Sequence, residues 1–533
     1  MSQVRFSAPP LRGGCAAAPL CSASGTQPGV RKHPDRREQR SAPRPQKRIA
    51  AASRERFSAL LAMAIAAPLT LQAQQPITLQ QAVDLAQKQS HQARAATAVR
   101  DAARARDRGF NARLLPQLSF SGTPQYERSI QPIIQPDGSI IFTPLQTKTA
   151  TAGAKIEQKL PFSGGVLSVT SGLRRTEFTG AKQNLSWTSN PVTFELRQDL
   201  LRPNAIGWDR REVDLRTDAA ERQYLEARET IALQASNAFF DLYVAQKTLS
   251  NAILNAAVND TLYTLNKGRL EVGKIGENDL LQSELALLRA RSAEENARLD
   301  YERAAAAFRL VLNLPASAPI AIEASTVIPA FDADTAVAVQ QALRQRAQLT
   351  ELQLQAVQAR RRIAEAKLNN GIGATVNASV GFNQSAPEAN LAYQNLLQAQ
   401  RFNVGVAVPL IQWGARSADV QAAVADQQRV AALSRLTLEQ VAQDAHFAAL
   451  LLSQAKRNVL VSAKADTVAQ KRFEVAYNRY VIGRIGIDNL YIAQNEKDQA
   501  VSQYLQALRS YWGAYYRLRQ VTLYDFERRV PIR

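Results

Sequence analysis

Glu271-Val-Gly-Lys-Ile-Gly-Glu-Asn-Asp-Leu280 and Val481-Ile-Gly-Arg-Ile-Gly-Ile-Asp-Asn-Leu490 are one turn written twice, 210 positions apart. Two glycines three residues apart permit a tight or positive-φ backbone where a chain reverses. The Asn and Asp beside them can cap a returning helix. On the same offset Leu200 meets Leu410, Ala235 meets Ala445, Leu242 meets Leu452, Arg269 meets Arg479, Tyr301 meets Tyr511 and Arg309 meets Arg519. No gap is needed, so the arms on both sides of the turn have kept their length. The stretches that hold them, 204–314 and 410–530, contain no proline. A repeat of this period is far too long for a solenoid. It describes one duplicated, elongated unit.

The arms carry a heptad-type seam. Ala232, Ala235, Phe239, Leu242, Gln246, Leu249, Ile253 and Ala256 fall at alternating three- and four-residue steps. Leu280, Ser283, Leu287, Ala290, Glu294, Ala297, Tyr301, Ala304, Phe308 and Val311 do the same on the way back. That spacing predicts coiled-coil packing, and the Gln and Glu within it predict that one side meets water. From Asn204 to the turn is roughly 70 residues, or about 100 Å of helix at 1.5 Å per residue. Such a hairpin is a rod and needs neighbours.

Between the helical stretches lie β-like blocks, so each half reads helix, β block, hairpin: 78–115, 117–202 and 204–314, then 332–369, 371–409 and from 412 onward. Leu118-Ser-Phe-Ser-Gly, Thr375-Val-Asn-Ala-Ser-Val-Gly-Phe, Val192-Thr-Phe-Glu-Leu-Arg and Phe402-Asn-Val-Gly-Val-Ala-Val alternate polar and apolar residues. Phe120, Tyr126, Trp187, Phe194, Phe382, Phe402 and Trp413 sit near their ends. Strands of this kind have one apolar and one polar face and are long enough to cross a bilayer when tilted. The first block is about twice as long as the second. Within it 153–160 and 166–176, joined by Pro161-Phe-Ser-Gly-Gly, read as an additional hairpin.

Composition removes several function classes. The chain of 533 residues has a net charge of +20, but twelve Lys/Arg against three acids fall within residues 1–56. The rest is scattered with both signs interleaved, the pattern of a solvated surface rather than a phosphate-binding stripe, so nucleic acid is not expected as a partner. Arg54 and Arg56 precede an apolar run, 57–71, followed by Leu71-Gln72-Ala73: an n-region, an h-region and a small-residue cleavage site of a signal peptide. The Pro/Arg-rich residues upstream fit a start codon assigned too early and stay outside the fold argument. Cys15 and Cys21 both lie in this leader, so the processed chain would have neither a disulfide nor a lipid-anchor thiol. After residue 73 there is no apolar run of the length a transmembrane helix requires. His33, His91 and His446 are isolated, and no nucleophile elbow or phosphate loop is present. No catalytic residue, cofactor or metal site is expected.

Over residues 77–526 the chain resembles the TolC-like outer-membrane efflux and secretion family. Thr78-Leu-Gln-Gln-Ala-Val-Asp-Leu-Ala86 is similar to the family's opening helix, and Leu115-Pro-Gln-Leu118 to the start of its first strand. Gln198-Asp-Leu-Leu-Arg202 and Val408-Pro-Leu-Ile-Gln-Trp-Gly414 resemble its two strand-to-helix exits. The resemblance implies an internally duplicated α+β membrane protein. Long coiled-coil hairpins would build a periplasmic α-barrel, and the short β blocks a trimeric outer-membrane β-barrel. It implies a passive exit duct of a tripartite efflux or type I secretion system, carrying small molecules or polypeptides from periplasm to exterior. The implied partners are two further copies, outer-membrane lipid, a periplasmic adaptor (membrane fusion) protein and an inner-membrane transporter that supplies the energy.

Carried onto this sequence, Val272, Gly273, Lys274, Ile275 and Gly276 with Ile482, Gly483, Arg484, Ile485 and Gly486 become the adaptor-docking tips. Asp279 stands where the family places an acid that narrows the pore. The second copy has Asn489 there, with Asp488 one step earlier, so Asp279, Asp488 and Asn489 are the candidate constriction. The alternative for these three is helix capping alone. The expected organisation is a leader over 1–73, a first repeat over 74–314, a connector over 315–331, a second repeat over 332–526 and a tail over 527–533. The competing reading is a periplasmic coiled-coil adaptor or scaffold, with its hairpins joined to compact β modules instead of membrane-length strands.

Overall fold

The computed structural model describes residues 76–179, 183–325 and 327–533. The leader with its signal peptide, Cys15, Cys21 and His33 lies outside them. The order is β1 (Ile77–Thr78), α1 (Leu79–Gln89), α2 (His91–Arg113), β2 (Gln117–Ile134), β3 (Ile140–Lys159), β4 (Val166–Thr179), β5 (Asn184–Leu200), α3 (Ala205–Glu271), α4 (Glu277–Leu312) and β6 (Ile322–Glu323). Then come α5 (Thr335–Gln345), α6 (Ala347–Asn369), β7 (Gly373–Ala386), β8 (Leu397–Ala407), α7 (Ala415–Val481), α8 (Ile487–Thr522), β9 (Tyr524–Asp525) and β10 (Val530–Pro531).

Both hairpins have the same dimensions: α3 and α7 are 67 residues each, and α4 and α8 are 36 each. Each long arm is about 100 Å of continuous helix. The expected single helices over 78–115 and 332–369 are each two helices, of 11 and 23 residues in both halves. The break has a local cause in the first half. Ser90 leaves the helical region (φ −61°, ψ 154°), closes α1 with its N–H on Ala86, and caps α2 with its hydroxyl on the Ala93 N–H. Arg346 takes the same extended backbone in the second half without a side-chain cap. α1 itself begins in a capping box between Thr78 and Gln81.

The apolar core sits partway along the rods. α1 brings Ala82, Val83 and Ala86 and α5 brings Ala338 against Phe239, Phe240, Phe308, Leu508 and Tyr511. β1 pairs in parallel with β6, with the Ile77 N–H on the Ala321 carbonyl at 2.8 Å, tying the opening helix to the connector. On α4, every expected seam position is buried or half-buried. On α3 the seam departs from expectation at two positions after Leu242: Gln246 is exposed and Ile253 is 47% exposed, whereas the expected Ala256 is buried together with Ala252, Asn259, Leu262 and Asn266, which lie outside the expected set. The physical reason is a second partner. In this region α3 also packs on α8, with the Asn251 and Asn255 amides both donating to Asp498 at 2.8 Å.

The strands form one antiparallel sheet in the order β2-β3-β4-β5-β7-β8. The additional hairpin of the first block is β3–β4, longer than expected because β3 starts at Ile140, and it lies inside the sheet between β2 and β5. The alternation is in register across strands. Gln117, Glu157, Ser168, Glu195, Ser379 and Arg401 make one cross-strand row, and Leu118, Ile156, Val169, Phe194 and Val380 are neighbours in the next. One face is therefore polar and the other presents exposed apolar side chains, Leu118 at 74% and Phe402 at 73%. The register slips between Ser189 and Val192, around Pro191, which has no N–H to give to the ladder. Among the described residues no helix is long and apolar enough to cross a membrane.

Candidate functional site

The two turns close in the same way. Val272 and Ile482 end the long helices, and Gly273 and Gly483 follow in the left-handed region at φ 67° and 74°. The Gly273 N–H donates to the Leu270 carbonyl and the Lys274 N–H to that of Arg269, both at 2.8 Å. The Gly483 and Arg484 N–H groups repeat this on Tyr480 and Arg479 at 2.9 and 2.8 Å. This is the Schellman closure, which satisfies the last helical carbonyls and asks for glycine at the left-handed position. Gly276 and Gly486 differ from expectation: they are the N-caps of α4 and α8 at φ −83° and −74°, an ordinary extended backbone.

Neither Asp279, Asp488 nor Asn489 caps a helix, because the N-cap positions are those glycines and carry no side-chain cap bond. The two acids lie two and three residues further in, Asp488 and Asp279 respectively, where the N-terminal dipole favours negative charge. Asp279 is half-buried, and Asp488 and Asn489 are exposed. Asp488 accepts a 2.6 Å hydrogen bond from the Gln282 amide of the other hairpin. Ile275 and Ile485 are half-buried; Val272, Gly273, Lys274, Gly276, Ile482, Gly483, Arg484 and Gly486 are exposed.

Three residues outside the expected set tie the tips together. The Arg269 guanidinium donates to the carbonyls of Tyr480 and Val481 at 3.2 and 2.8 Å and lies 5.0 Å from the Tyr480 ring centre. The Tyr480 hydroxyl donates to the fully buried Asn266 amide oxygen at 2.5 Å. Beneath them Leu262, Tyr480, Ile487 and Leu490 form a small apolar plug. Arg269 was visible in the sequence as half of a repeated pair, but its partner is not its repeat.

Further from the tip, α3, α4 and α8 enclose a half-open cavity of about 590 Å³ lined by Asn251, Asn255, Asn259, Gln282, Gln494 and Asp498, among others. Buried Lys497 donates to Asn255 at 3.0 Å. Burial and the neighbouring Tyr480 phenol push the Tyr491 hydroxyl above its usual range, so it is neutral at physiological pH. A polar interior of this kind has room and partners for water. His446 is exposed against Phe447, and among the described residues no group of three metal-ligating side chains exists.

No protein-family model matches the chain, and no curated protein matches it. Solved structures do. The CmeC outer-membrane channel of Campylobacter jejuni is 15% identical with a TM-score of 0.61, covering 85% of this chain and 86% of its own. The outer-membrane protein VceC of Vibrio cholerae is 13% identical with a TM-score of 0.61, over 85% and 97%. The open state of the MtrE outer-membrane channel of Neisseria gonorrhoeae is 15% identical with a TM-score of 0.57, over 83% and 88%. The chain has the fold of the TolC-like outer-membrane channels.

Proposed function

We propose that the protein is the outer-membrane exit duct of a tripartite efflux or type I secretion system. It would be a homotrimer that passively conducts small molecules or polypeptides from the periplasm to the exterior. The observation that carries this reading is the single sheet with one exposed apolar face, one polar face and two unpaired edges, joined to rods about 100 Å long. An adaptor or scaffold with compact β modules has no use for such a sheet. In lipid the edges must be paired, and closing the sheet into a barrel with further copies does this. The apolar row around Leu118 and Phe194 faces acyl chains, and the polar row around Glu157 and Arg401 lines the lumen.

The tips at 272–276 and 482–486 take the adaptor. Their glycines leave the backbone open, and no atom lies within 4 Å of a Cβ placed at Gly273, Gly276, Gly483 or Gly486. Asp279 and Asp488, with Asn489, narrow the pore at this end. Arg269 and Gln282 hold the two hairpins of one copy side by side there, so opening has to break their bonds to Val481 and Asp488. The driving energy comes from an inner-membrane transporter. The test is fractionation of the expressed protein followed by single-channel recording in a planar bilayer. A detergent-dependent trimer with resolvable conductance is expected. A soluble periplasmic monomer without channel activity refutes the proposal.

A further inference from the structure

We propose that all six strands belong to the membrane wall. Each copy's β8 edge pairs with the next copy's β2 edge, giving an eighteen-stranded barrel in the trimer. This rests on the trimeric channel reading above and goes beyond it. Bare duplication predicts a narrower wall, because the second half contributes only β7 and β8. α1 and β2 map onto α5 and β7 with a shift of 256, from 79 to 335 and from 117 to 373. α3 and α4 map onto α7 and α8 with a shift of 210. The difference of 46 positions is an insertion between β2 and β5, and it is the β3–β4 hairpin.

Three observations place that hairpin in the wall. First, next to its turn it keeps the two-faced pattern in phase: Glu157 and Ser168 continue the polar row, and Ile156 and Val169 the apolar row, from β2 through to β5 and β7, and the register shifts only beyond Thr170. A hairpin folded over the lumen or hanging outside has no reason to keep lipid-type residues on the face shared with Leu118 and Phe194. Second, its turn is knit to the helix ends. The Gln158 amide donates to the Leu114 carbonyl at 2.7 Å, Asn204 to Pro161 at 2.8 Å and Gln198 to Ser163 at 2.9 Å. The turn therefore sits at the same rim as the starts of β2 and α3. Third, the outer edges of β2 and β8 are free of partners within the chain, and the strands run in opposite directions, one leaving α2 and the other returning to α7. A second copy placed head to tail pairs them antiparallel and leaves no edge.

At a strand spacing of about 4.8 Å and a tilt of about 40°, eighteen strands give a backbone diameter of about 36 Å, against about 24 Å for twelve. A wall of that size leaves an aqueous channel. The outer mouth then admits polypeptide as readily as small solutes, and size selection falls on the tips.

The test uses the full chain with Cys15 and Cys21 replaced by serine, carrying single cysteines at Lys155, Ile156, Ser168 or Val169. In proteoliposomes, Lys155→Cys and Ser168→Cys should react with a membrane-impermeant maleimide. Ile156→Cys and Val169→Cys should react only with a lipid-soluble one. The pair Ser119→Cys/Asn403→Cys should oxidise to covalent oligomers of up to three copies. Equal aqueous labelling at all four positions overturns the proposal. So does an intramolecular crosslink in Ser119→Cys/Thr193→Cys, which would make β2 and β5 direct neighbours. In either case a membrane-bound trimer with normal conductance leaves the channel reading standing. Loss of both membrane association and conductance refutes that reading itself.

Discussion

Arg519→Leu should cost far more than its position near a helix end suggests. Glu229 is only 2% exposed, and Arg519 meets it with two prongs, Nε to Oε2 at 3.0 Å and Nη2 to Oε1 at 3.3 Å. Its remaining nitrogen reaches Asp525 at 3.1 Å. Burial alone would lower the guanidinium's pKa, and the hydrogen bonds and charge of Glu229 more than offset that, so Arg519 is held above its usual range. The pair joins α3 of the first hairpin to α8 of the second. Removing the cation leaves a buried carboxylate without compensation, a loss of about 3–5 kcal/mol. Asp525 suffers less, because it also accepts the backbone N–H groups of Glu527 and Arg528. Replacing both members, Glu229→Leu with Arg519→Leu, removes the stranded charge and should recover most of the loss. The measurement is guanidinium unfolding of the detergent-solubilised protein, followed by near-ultraviolet dichroism. Trp512 serves as a local reporter 5.5 Å from Tyr515, and the result is read as a double-mutant cycle. A single variant within about 1 kcal/mol of the parent, or a double variant no more stable than the single, refutes the buried-charge argument.

Valine at both Gly273 and Gly483 forces a β-branched residue into a left-handed backbone, at about 1–3 kcal/mol per site. Adaptor crosslinking and efflux complementation should fall with trimer recovery unchanged, whereas valine at Gly276 and Gly486 should be free of backbone strain. Full complementation by the Gly273/Gly483 variant counts against the docking assignment. Burial raises the Glu226 carboxyl above its usual value of 4.5, against the N–H of Ala347 and the charge of Arg346. A raised acid favours the fold most when protonated, and that contribution fades as pH rises through the folded pKa. Glu226→Gln should therefore be more stable than the parent at pH 7, with the advantage vanishing toward pH 4, and an advantage that grows on acidification would reverse the sign. Asp279→Asn with Asp488→Asn should bring the cation preference of the resting pore toward unity and weaken divalent block, since rings of acids select cations. Unchanged selectivity in planar-bilayer recordings removes both from the constriction.

The parts of the fold that were legible in the sequence are those where the backbone itself demands a residue type. Gly273 and Gly483 announce a turn because little else tolerates φ near 70°, and the absence of proline permits helices of 67 residues. The breaks at Ser90 and Arg346 were not legible. One depends on a hydroxyl that serves a following helix, and the other has no side-chain signal at all. The length of β3 was hidden because Thr147, Ala150, Ala152 and Ala154 blunt the alternation with small residues. The tip contacts were hidden for a deeper reason: a constant offset displays what two copies share, while contacts between the copies depend on where they differ. Asn266 corresponds to Ala476 and Tyr480 to Leu270, so the buried Tyr480–Asn266 bond has no counterpart.

Arg269 and Arg479 are the same residue in two situations. Within one copy the first hairpin meets the second, and Arg269 spans that junction to the carbonyls of Tyr480 and Val481. In a head-to-tail ring the second hairpin meets the first hairpin of the next copy, and exposed Arg479 stands at that junction. By the same offset its acceptors there would be the carbonyls of the neighbouring copy's Leu270 and Glu271. Arg479→Cys with Glu271→Cys should therefore crosslink between copies, building a covalent trimer around the tip. A disulfide confined to one copy, or none, would mean that the two hairpins do not alternate around a ring and that the duplication serves some other geometry.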